Sequence, residues 1–173
     1  MRTEAPRTIR LAEYQPPAWI VETVRLEFDL APDATRVRAR MVFVKGAGGA
    51  LRLDGEQLAL KSAAIDGADV MAALTVDAEG LTHPGPLPDR FTWEAEVEIA
   101  PATNTALEGL YLSNGMYCTQ CEAEGFRKIT YYPDRPDVMA TFEVRIEAPA
   151  SLPALLSNGE KTGEGVLPDG RHF

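Results

Sequence analysis

The sequence predicts an all-β fold, an antiparallel β-sandwich, and three observations carry that prediction. Apolar and polar residues alternate with a period of two in segments spread along the whole chain. Compact turn signals separate those segments, and no long stretch shows the period of an amphipathic helix.

In chain order, Val24, Leu26, Phe28 and Leu30 share one face while Arg25, Glu27 and Asp29 take the other, the mark of a half-buried strand. A Pro32-Asp33 turn leads to Val37, Ala39, Met41 and Phe43, set between Arg36, Arg38 and Arg40. After the glycine-rich turn at 46–49, residues 58–65 read as a strand closed by an Asp66-Gly67 turn. The proline-rich segment 84–88 precedes Phe91, Trp93, Ala95, Val97 and Ile99, which alternate with Glu94, Glu96 and Glu98. Residues 100–104 and 133–137 read as irregular connections. The Asn114-Gly115 and Asn158-Gly159 pairs suit tight hairpins, because both central residues of such turns need positive φ. The segment 126–132 reads as a strand, as does 141–147, where Phe142, Val144 and Ile146 point one way. A Pro-Asp-Gly turn in the final GEGVLPDGRHF looks like the approach to a further strand, so the chain reads as a fragment of a longer protein.

A chain of 173 residues with 45% hydrophobic and 25% charged residues can hold its own core, so residues 1–173 read as one domain. The net charge of -9 repels phosphate backbones and anionic lipid surfaces, which excludes nucleic acid and membrane as expected partners. No run approaches the roughly 20 apolar residues of a membrane span. The opening MRTEAPRTIRLAEYQPPAW lacks the apolar segment of a secretory signal, so the expected location is cytoplasmic.

Cys118 and Cys121, the only cysteines, form a C-x-x-C pair. A structural zinc needs four ligands, and here a second cysteine pair is missing while His83 and His172 stand isolated. A thioredoxin-like dithiol expects a βαβ setting, which an all-β sequence does not supply. The alternative is a pair of thiols that pack the loop and bind nothing. Glu122 and Glu124, read from composition alone, are solvated charges. No H-E-x-x-H, G-x-S-x-G or phosphate-binding loop is present, so the chain carries no catalytic residue and no metal ligand of its own by this reading.

Residues 106–141, ALEGLYLSNGMYCTQCEAEGFRKITYYPDRPDVMAT, resemble the N-terminal domain of bacterial aminopeptidase N, a zinc-dependent family that removes single residues from peptide N-termini. The likeness extends through VRLEFDLAPDATRVRAR, LRLDGEQLAL and PATNTALEGLY upstream, and LLSNGE and DGRHF downstream. The resemblance implies a saddle-like β-sandwich, followed in the parent enzyme by a catalytic domain that holds one zinc and is absent here. It implies that Glu122 binds the α-ammonium group of the substrate and that Gln120 lines the pocket for the first side chain. Thr119 and Arg127 fit the family pattern, Asp134-Arg135-Pro136 replaces its D-E-P, and Arg127 and Asp134 are expected to fix the loop. The implied partners are peptides with a free N-terminus and the catalytic domain, with a broad choice of first residue. The chemistry is coherent, because an exopeptidase must recognise a terminal cation and a carboxylate does so through charge-assisted hydrogen bonds. Holding that amine at a fixed distance places only the first peptide bond for attack. Two other readings remain: a stand-alone β-sandwich module that grips cationic termini without catalysis, and a small zinc or redox protein built on Cys118 and Cys121.

Overall fold

Alternating burial is the local rule that builds the molecule, described here for residues 10–173 by a computed structural model. The targeting expectation placed on the first nine residues lies outside the described residues. Eleven strands are described: β1 (Trp19–Asp29), β2 (Thr35–Lys45), β3 (Leu51–Asp54), β4 (Ala59–Ile65), β5 (Ala68–Asp69), β6 (Thr75–Asp77), β7 (Gly80–His83), β8 (Arg90–Ile99), β9 (Gly109–Ser113), β10 (Met116–Gln120) and β11 (Thr141–Glu147). The only helical pieces among the described residues are single 3-10 turns, and the fold is all-β as the alternation predicts.

Six strands form the main sheet in the order β11-β1-β2-β8-β4-β5. Its register stacks like on like: Val24 faces Met41, which faces Trp93, and that row ends at Ile65. These four side chains are buried, so the row forms a continuous apolar band across the sheet. A three-stranded sheet, β3-β7-β6, adds Leu51, Leu53 and Leu81 to the same core. The opposite face of the main sheet carries the charges, with Arg38 Nε 2.9 Å from Glu96 and Arg40 Nε 3.2 Å from Glu94. They line a shallow depression of about 560 Å³. Its arginines and glutamates largely neutralise one another across the strands, which suits a solvated sheet face.

The antiparallel expectation needs one correction. β11 runs parallel to β1, with Thr23 opposite Thr141 and Asp29 opposite Glu147. Period-two alternation is the same for either direction, and no short hairpin joins these strands, so nothing local sets their relative sense. Register places Phe142 beside Val24 and Val144 beside Leu26, on the core face but at the sheet edge, where they remain 47% and 37% exposed.

Segment 126–132 is likewise not a strand. Phe126–Lys128 forms a 3-10 turn, with Lys128 N donating to Gly125 O at 3.1 Å and Ile129 N to Phe126 O at 2.9 Å. Tyr132 makes only an isolated bridge to Asp54. Ile129, Tyr131 and Tyr132 are all buried, which explains why the stretch reads as apolar without having a strand's alternation. Asn114-Gly115 does close a hairpin, β9 to β10, with φ values of 50° and 79°. Asn158-Gly159 connects no pair of strands, whereas the Pro168-Asp169-Gly170 turn lets His172 bridge both Ala148 and Val166.

Candidate functional site

The TQCE segment begins in the last residues of the β9–β10 hairpin. Its register runs from Met116 opposite Ser113 to Gln120 opposite Gly109, so Gln120 is the last residue held by strand pairing. Two glycines let this end close against the turn that follows. A Cβ on Gly109, whose φ is +70°, would stand 2.6 Å from Lys128 Cβ, and one on Gly125 would stand 2.7 Å from Gln120 O.

Beyond Gln120 the loop turns outward, and its two glutamates differ in their partners. Glu124 is 3.1 Å from Arg127 Nη2. Glu122 is exposed, and its carboxylate makes no hydrogen bond or ion pair among the described residues. Gln120 Nε2 donates to the Glu122 main-chain oxygen at 3.5 Å, bringing the two sequence-predicted site residues together on the exposed side of the loop.

Asp134 closes the loop from the inside. One of its oxygens, Oδ2, accepts from Gly125 N at 3.0 Å, Arg127 N at 3.1 Å and Arg127 Nε at 2.8 Å, while Arg127 Nη2 donates to the Asp134 main-chain oxygen at 3.0 Å. Asp134 is only 7% exposed, and Arg127 is the cation in direct contact with its carboxylate. Burial works against the Arg127 charge, but the Asp134 hydrogen bond and the neighbouring carboxylates outweigh it and raise the guanidinium's pKa. The sequence likeness anticipates Arg127 and Asp134 as loop-fixing residues, and this geometry fulfils that role. Asp54, whose Oδ2 accepts from Asp134 N at 2.9 Å, carries no such sequence signal, since it lies 80 residues away.

Both cysteines are free. Cys121 packs against the core, and burial, followed by the Asp134 charge, pushes its thiol up to about 11. Among the described residues no group of three or more His, Cys, Asp or Glu is placed to hold a metal ion.

Comparison with known proteins decides the lineage. Residues 57–173 match the family described as the peptidase M1 N-terminal domain. The chain belongs to this family. As an M1 N-terminal domain it is 52% identical, over its whole length, to aminopeptidase N of Caulobacter vibrioides, and 45% identical over 99% of its length to aminopeptidase N of Escherichia coli. It spans 20% of the length of each of these relatives. Among solved structures, Legionella pneumophila aminopeptidase A in complex with aspartic acid superposes with a TM-score of 0.87 at 30% identity, covering 95% of this chain and 20% of that one. An M1 zinc metallopeptidase mutant from Deinococcus radiodurans, bound to a Tyr-Ser-Ala substrate, shares the fold with a TM-score of 0.77 at 18% identity, over 90% of this chain and 38% of that one. In this M1 domain Gln120, Glu122, Arg127 and Asp134 all lie inside the matched region, whereas Asp54 precedes it.

Proposed function

We propose that this M1 N-terminal domain serves a zinc-dependent aminopeptidase by supplying the group that binds the free α-ammonium of a peptide. Glu122 is the acceptor, and Gln120 forms part of the wall beside the first side chain. The observation that carries this reading is the contrast within one loop: Glu124 is paired with Arg127, while Glu122 stands exposed and unpartnered on a backbone pinned from within. Such a carboxylate keeps its full hydrogen-bonding capacity for a cationic ligand.

In this reading the zinc itself is held elsewhere in the parent enzyme. A zinc site needs a convergent set of donors, no such set occurs among the described residues, and the Cys121 thiol is held in its protonated form. In this reading the metal and the bond-breaking chemistry belong to another part of the parent enzyme, and the domain alone is inactive. Its own contribution is positional: an amine held by Glu122 fixes which peptide bond the remainder of the site can reach. We place this activity in the cytoplasm, acting on peptides.

The test is Glu122→Ala in the full-length enzyme. A charge-assisted hydrogen bond contributes about 1.5–3 kcal/mol, so kcat/KM on an alanine anilide should fall by about 10- to 150-fold with zinc content unchanged. Unaltered kinetics would remove Glu122 from this role.

A further inference from the structure

The turn after β3 grips the segment that carries the recognition loop. Asp54 N donates to Tyr132 O at 2.8 Å and receives Tyr132 N on its own carbonyl at 3.1 Å. Glu56 N donates to Arg127 O at 3.0 Å, and the Glu56 carboxylate meets Lys128 Nζ at 2.8 Å. Between them Gly55 lies so close to Tyr131 that any Cβ would overlap the ring. Residues 54–56 therefore form a cradle for 127–134, and at its centre Asp54 Oδ2 accepts the Asp134 N–H.

We propose that Asp54 is a positioning residue for amine recognition, acting through Asp134 to set where Glu122 stands. The inference rests on the role given to Glu122 above. The span 121–124 is pinned at both ends, at Gln120 by pairing with Gly109 and at Gly125 by the Asp134 carboxylate. The first pin belongs to the hairpin. The second depends on the orientation of the Asp134 residue, whose main-chain N–H is held by Asp54 and whose side chain is held by Arg127. Removing the Asp54 carboxylate leaves that N–H without its acceptor and frees Asp134 to pivot, so the far end of the loop moves with it. An asparagine at 54 keeps an acceptor oxygen in the same place.

The experiment is a double-mutant cycle in the full-length enzyme, reading kcat and KM on an alanine anilide together with zinc content and melting temperature. Asp54→Ala should raise KM about fivefold, the worth of one ordinary hydrogen bond, with kcat and zinc within about twofold of the parent. Asp54→Asn should recover the parental KM, and Asp54→Ala placed on Glu122→Ala should add almost nothing, because the group being positioned is gone. Equal effects of Asp54→Ala with and without Glu122 would overturn the proposal while leaving the Glu122 reading intact. An inert Glu122→Ala would overturn both. Should Asp54→Ala unfold below the assay temperature, Asp54→Leu takes its place: it fills the space of the side chain but offers no acceptor to the Asp134 N–H. A KM unchanged in that variant overturns the proposal, and a raised KM that disappears on Glu122→Ala supports it.

Discussion

Glu122, Asp134 and Cys121 show how three neighbouring polar groups acquire different chemistry from burial and from the groups around them. The Glu122 carboxylate is exposed and unpartnered, Asp134 is buried with three donors on one carboxylate oxygen, and Cys121 is packed against the core with its thiol raised to about 11. The Cys121 shift has a definite sign. Its folded value lies above the ordinary thiol value of 9.0, so the contribution to stability is intact below about pH 9 and is lost as pH rises through about 11. At pH 8 the thiolate fraction is then about a hundredfold smaller than in the unfolded chain, and alkylation by iodoacetamide should be slowed at least that much. Timed labelling with and without urea, read by mass spectrometry at Cys121, checks this; equal rates in the two conditions would contradict it. The C-x-x-C spacing is fully legible in the sequence. The inertness of its second thiol is not, because it comes from the carboxylate and apolar groups that the fold gathers around it.

Among the elements, long strands announce themselves and short ones do not. β2 and β8 alternate along their whole lengths and β1 does so from Thr23 to Asp29 after a register shift at Val21, enough to set their faces unambiguously. β6 and β7, at three and four residues, carry too few repeats to stand out from a loop. Their junction depends instead on Gly80, with φ +155°, where a Cβ would overlap the Leu53 main-chain oxygen. Gly80→Ala combines unfavourable φ with a backbone clash that β3 can relieve only by losing its register, and should cost about 3 kcal/mol or more. Gly67→Ala, at φ +79° with open space around it, should cost only about 1–2 kcal/mol. Urea unfolding of the two variants separates the terms. The 126–132 segment shows the converse limit, since its apolar residues are buried by packing around a 3-10 turn rather than by pleating.

At the scale of the whole molecule, the apolar band of the main sheet joins one core cluster with residues of the three-stranded sheet, and Trp93 is fully buried in it. Trp93→Ala should destabilise the domain by about 3–5 kcal/mol, measured by chemical denaturation, because the sheets on either side cannot close over the void. The band does not end at a covered edge. Phe142 packs on Phe126, with ring centroids 5.9 Å apart, and stays half exposed beside β1, so the core surface continues to the turn that carries Arg127.

The sequence by itself determined the all-β class, the faces of the long strands, the Asn114-Gly115 hairpin and the family, since each is written in local period, turn chemistry or a contiguous motif. Only the tertiary structure decided the parallel sense of β11, the helical turn at Phe126–Lys128, and the Asp54–Asp134 contact across 80 residues. The reasons are physical: the sense of β11 and the Asp54–Asp134 contact come from pairing between segments far apart in the chain, which imposes no period on either, while the turn is closed by local hydrogen bonds over too few residues to show a period of its own.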